Sequence, residues 1–111
     1  MDAEHEIFSQ FKSRAVQVGR NLDSTYFPID VAEEIVRKCD ELNIPVIGLE
    51  GFLLESGYVI PQIDAIEDFS RADKPDWESY VKNTNNLSRR ILKEWRERTN
   101  LVACLTLGSK F

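Results

Sequence analysis

Histidine occurs once in this 111-residue chain, methionine once, cysteine twice, proline four times and glycine five times. Each scarcity closes a class of chemistry. His5, flanked by Glu4 and Glu6, has no second imidazole with which to build a zinc site or activate a serine or cysteine nucleophile. Cys39 and Cys104 stand 65 positions apart and match no zinc spacing. With no secretory leader ahead of them, they are expected as free thiols on the buried faces of a helix and a strand. Gly48, Gly51 and Gly57 do not make a glycine-rich loop entering a helix, so neither a phosphate cradle nor a Walker pattern is present. No apolar run approaches the roughly 20 residues that span a bilayer. Met1 to Gln10 is charged and lacks the apolar stretch of a signal peptide, which makes the cytoplasm the expected compartment.

What the chain does have is acid, and it is concentrated. Asp30 to Glu78 holds 13 Asp/Glu against 4 Lys/Arg, a local charge of −9 within a chain of net charge −5. Ser79 to Phe111 reverses this, with 7 Lys/Arg against 2 Asp/Glu. Apolar residues make up 42% and charged residues 30%, the balance of a folded globular chain, and the length suits one domain over residues 1–111.

Apolar spacing lays out the elements. Ile7, Phe8, Phe11, Ala15 and Val18 share one stripe of a helix over 4–18, ended by Gly19 and Asn21. Tyr26-Phe27-Pro28 is an apolar connector. Asp30 with Glu33 reads as a capping-box start for a second helix, whose buried stripe is Val31, Ala32, Ile35, Val36, Cys39 and Leu42. Asn43 stops it, and Ile44-Pro45 cannot continue it. Val46 to Leu54 is a strand in which Gly51 marks a bulge or a close backbone approach. Glu55-Ser56-Gly57 turns into a return arm, Tyr58-Val59-Ile60, closed by Pro61. Ile60, Ile63, Ile66 and Phe69 recur every third residue, and the expected form here is a turn followed by an edge strand over Ala65 to Phe69. Asp76 caps a long helix of about 33 Å, acidic at its start and basic through Arg89, Arg90, Lys93, Arg96 and Arg98 at its end. Leu101 to Leu107 is a final strand. The expected fold is α+β: a small, mostly antiparallel sheet with helices packed on one face, and the long helix just before the C-terminal strand.

A sequence pI near 4.9 opposes nucleic acid as a partner for the basic cluster at 89–98, whose charges suit the helix dipole instead. The acids serve better as a binding surface. Glu50, Glu55, Asp64, Glu67, Asp68 and Asp73 come from loops and strand ends that a small sheet would gather on one rim, with Tyr58, Tyr26 and Trp77 close by. Negative charge would steer a basic protein, and an aromatic ring would anchor it. The alternative is a carboxylate site built from Glu50, Asp64 and Asp68 that binds a hard cation, in a small metal-dependent enzyme or ligand-binding domain.

Asn43-Ile44-Pro45, Val46-Ile47-Gly48-Leu49-Glu50-Gly51-Phe52, and Ile66-Glu67-Asp68-Phe69-Ser70 ahead of a long helix together resemble small bacterial immunity proteins of the colicin and contact-dependent toxin type. The resemblance runs over residues 28–107. It implies a non-enzymatic antidote, needing no cofactor or metal, that binds the C-terminal domain of a cognate toxin, often a basic nuclease, and occludes its active site.

Overall fold

The computed structural model describes residues 3–16, 25–69 and 76–108 of the chain. Helix α1 (Ala3–Phe11) tightens into a 3₁₀ turn (Lys12–Arg14) and stops there, because Ala15 is extended at φ −72°, ψ 156°. It is therefore shorter than its apolar stripe suggests, and Val18, Gly19 and Asn21 lie outside the described residues. Ile7 is its buried anchor, with Phe8, Phe11 and Ala15 packed partly against the core.

Phe27–Pro28, expected as a connector, pairs as a short strand, β1. Helix α2 (Ile29–Glu41) follows at once, with Pro28 rather than Asp30 at the N-cap position and no side-chain cap. Pro28 suits that place because its fixed φ of −56° leads into a helix and its missing N–H is not needed there. Asp30 instead sits in the first turn, where its charge complements the helix dipole. The other end behaves as expected. Asn43 takes the left-handed conformation (φ 59°), Ile44 N–H donates to Cys39 C=O at 2.8 Å, and Asn43 N–H to Asp40 C=O at 3.2 Å. That is a Schellman closure with Asn in place of Gly.

Strands β2 (Val46–Glu55) and β3 (Tyr58–Asp68) form a hairpin through Ser56 (φ 51°) and Gly57 (φ 81°). Two consecutive positive φ values give the turn whose twist matches that of the strands. Pro61 does not close the return arm; β3 runs on through it to Asp68. Proline is tolerated because β3 is the last strand of the sheet, ordered β1-β4-β2-β3 with every ladder antiparallel. Across a two-residue turn Glu55 and Tyr58 exchange hydrogen bonds, so Val59 and Pro61 face outward, where a missing N–H breaks no ladder bond.

The hairpin register jumps between Glu50↔Ile66 and Phe52↔Pro61, leaving four residues of β3 opposite Gly51 alone. A Cβ on Gly51 would lie 2.7 Å from that of Ala65, so the expected close backbone approach is present and glycine is required for it. Helix α3 (Trp77–Trp95) is capped by Asp76, whose carboxylate accepts from Ser79 N–H at 2.8 Å. At 19 residues it is about 28 Å long, shorter than its charge pattern implied. Arg96 and Arg98 fall beyond it, in the turn that leads through Asn100 (φ 60°) to β4 (Leu101–Leu107).

The fold is α+β, with the helices layered on one face of the sheet. Phe27, Val46, Leu49, Ala65, Leu101, Ala103 and Leu105 supply the sheet's side of the core, and Ile35, Val36, Cys39, Leu92 and Trp95 the helices' side. Asn85, fully buried on α3, ties the layers together. Its side chain accepts from Val46 N–H at 2.8 Å and donates to Ile44 C=O at 3.0 Å and to Asp40 at 3.3 Å. No helix among the described residues is long and apolar enough to cross a membrane.

Candidate functional site

Antiparallel partners share a face, so the register sorts the acidic residues. Leu49↔Glu67, Gly51↔Ala103 and Leu49↔Leu105 mark the helix side; Glu50↔Ile66, Gly48↔Asp68 and Gly48↔Thr106 mark the other. On that other face Gly48 leaves a notch between Thr106 and Asp68. Here Gly48, Glu50, Ile66, Glu67, Asp68 and Thr106 line an open groove of about 350 Å³.

Two of the expected acids, Glu50 and Asp68, thus share this face, while Glu67, opposite Leu49, belongs to the helix-side face and borders the groove with its backbone carbonyl. Glu55 and Tyr58 do not join them: they sit at the hairpin tip, roughly 17 Å along the strand from Glu50. Asp64 lies in the bulge and is ion-paired with Arg98 at 3.3 Å. Asp73 is outside the described residues.

Three of the five residues of the basic cluster are ion-paired within the fold. Arg89 pairs with Asp40 at 2.8 Å, Arg96 with Glu33, and Arg98 with Asp64. Partial burial alone would raise the Asp40 pKa, but its hydrogen bonds from Arg89 and Asn85 outweigh this and hold it below the ordinary value. Glu50, Glu55 and Glu67 have no ion pair to any described residue, so the β2–β3 hairpin presents negative charge. Asp68 adds to it: burial first, and then the Asp68 charge, push the Tyr80 phenol pKa up.

Two of the three expected rim aromatics do structural work. Tyr26 is buried and meets Phe52 edge to face at 4.9 Å, and Trp77 Nε1–H donates to Asn43 C=O at 3.0 Å. Only Tyr58 is offered to solvent, 58% exposed. The apolar contact surface is aliphatic. Ile60, Ile63 and Ile66 are 42%, 91% and 51% exposed along β3. The edge strand expected from Ala65 is present as the end of β3, but the expected turn ahead of it is a bulge that breaks the alternation of the strand and turns Ile63 outward. The one available clue was that an acidic strand carrying Pro61 has to lie at an edge.

The alternative carboxylate site is not assembled. Asp64 is held by Arg98 in the bulge while Glu50 and Asp68 lie in the groove, and no group of three or more His, Cys, Asp or Glu among the described residues is placed to hold a metal ion. Both cysteines are free, as expected. Cys39 is buried in the core. Cys104 is only half-buried, on the face away from the helices, where its S–H donates to Thr25 C=O at 3.3 Å. Burial above all, reinforced by Asp40 and Glu50 respectively, pushes both thiols up to about 12, so neither is an activated nucleophile. The chain matches no protein-family profile and no curated protein.

Proposed function

We propose that this protein is a non-enzymatic, cytoplasmic immunity protein that neutralises the basic C-terminal domain of a bacterial toxin by binding and occluding it. The observation that carries this reading is the exposed β3 ridge. Ile63 stands almost wholly in solvent at the bulge, Ile66 is half exposed on the face of Glu50 and Asp68, and Ile60 and Glu67 lie along the same edge strand on its other face. Exposed aliphatics among surface carboxylates suit a cationic protein surface: charge steers the encounter, and the isoleucines supply the contact that excludes water. The carboxylates would stand in for the anionic substrate of a nuclease.

The test is to look for a toxin-bearing reading frame immediately upstream of this chain's gene and to co-express its C-terminal domain with this protein. Wild type restores growth, and the double charge reversal E67K/D68K associates more slowly and with a weaker dependence on salt. No growth rescue by a folded, expressed wild-type protein would sink the reading. Unchanged kinetics over the salt series would remove Glu67 and Asp68 from the interface.

A further inference from the structure

The outer edge of β3 is a row of backbone groups facing solvent, and the geometry says which ones. Phe69 N–H donates inward to Ile47 C=O at 2.8 Å. Orientation alternates along a strand, so Glu67 also faces β2; its carbonyl oxygen lies 3.5 Å from where a Cβ on Gly48 would stand. Ile66 therefore turns its N–H and C=O outward, and no described strand pairs with them. Its side chain is half exposed beside the groove.

We propose that the partner docks here by strand addition. An extended segment of a basic protein pairs its backbone with Ile66 and becomes a fifth strand of the sheet. This rests on the acidic-surface reading above and adds the mode of binding and the chemistry of the segment. Cross-strand neighbours on one face stand about 4.5–5.5 Å apart at Cβ. The residue opposite Ile66 is β-branched or otherwise apolar. The next one lies beside Glu67 on the helix-side face, and the one after that lies beside Asp68, so both are Lys or Arg. The segment read this way is a pair of adjacent cations next to an aliphatic residue, in extended form.

A second copy of this chain fits less well. Two β3 arms paired antiparallel about Glu67 would set Glu67 against its own counterpart, with Asp68 on both sides, and like charges directly opposed are destabilising. The four-residue bulge interrupts any longer pairing between copies.

The experiment is a ¹⁵N–¹H titration of the full chain with a capped heptapeptide carrying a Lys-Arg pair between valines and threonines. Its control is the same peptide N-methylated at the central amides, which keeps the charge and removes the strand hydrogen bonds. The plain peptide shifts the Ile66 amide proton saturably and binds at least tenfold more tightly than the methylated one. I66P, which removes only an outward N–H, costs at least tenfold, whereas I66A costs less than threefold. If I66P fails to fold, the peptide pair decides alone. Equal binding by the two peptides at Ile66 refutes strand addition and leaves the acidic docking surface standing; binding by neither at low salt removes both. Self-association of the free chain that I66P abolishes assigns the edge to a second copy and overturns a basic partner. Strand addition of the peptide without growth rescue in the toxin assay removes the immunity reading alone.

Discussion

Asn85→Ala should be among the most damaging single substitutions in this chain, although Asn85 lies far from the ridge proposed to bind. The wild-type amide is fully buried and serves three groups: Val46 N–H at 2.8 Å, Ile44 C=O at 3.0 Å and Asp40 at 3.3 Å. Alanine leaves the Val46 N–H and the Ile44 C=O without that partner at the entrance to β2. A buried polar group deprived of its partner costs about 1–3 kcal/mol, so two of them plus the lost volume come to about 3–5 kcal/mol. In a domain whose total stability is of the order of 5–15 kcal/mol, that is a drop in Tm of about 15–25 °C. Urea or thermal unfolding followed by far-UV circular dichroism measures it. Asn85→Asp sharpens the test. It keeps the acceptor for Val46 but sets a second carboxyl against Asp40, so burial and Asp40 raise the pKa of the introduced group. Its penalty should therefore shrink as the pH falls and that group takes up a proton. A loss below about 1 kcal/mol in Asn85→Ala would refute the assignment, since it would mean that these backbone groups find other partners at little cost.

Gly51→Ala drives a Cβ to within 2.7 Å of Ala65, and overpacking of that kind should cost about 1–3 kcal/mol by chemical denaturation. Ile63→Asp, at a site 91% exposed, should leave stability within about 0.5 kcal/mol of wild type. The folded pKa of Asp40 lies below its ordinary 3.8, so its pairing with Arg89 stabilises the fold above that pH and is lost as the pH falls through the lowered value. Arg89→Ala should accordingly flatten the acid limb of the stability curve. Both thiols, held near 12, should resist iodoacetamide at pH 8 in the native protein and react once it is unfolded. Mg²⁺, Mn²⁺ and Ca²⁺ should leave Tm unmoved, and a shift of several degrees would restore the carboxylate-site alternative.

Local signals carried most of the fold. The positive φ of Asn43 and Gly57 and the Asp76 cap are each demanded by chemistry within a few residues of chain. What stayed hidden depends on contacts distant in sequence. Nothing near Phe27 announces that it will pair with Ala103. The acidic ridge was legible as charge but not as shape. Glu50 and Asp68 share a face because the hairpin register brings them there, Glu67 falls on the other face, and Asp64 is claimed by Arg98 from beyond the end of α3. The edge strand expected from Ala65 is present as the end of β3, but in place of the expected turn ahead of it there is a four-residue bulge, which depends on how β3 pairs with β2.

The measurement that bears most directly on the central claim is the affinity of Ile63→Asp for a toxin C-terminal domain that the wild-type chain binds, taken together with its Tm. A Kd at least tenfold weaker at unchanged Tm is the predicted result. A Kd within twofold of wild type, in an equally stable protein, would place the partner elsewhere on the molecule.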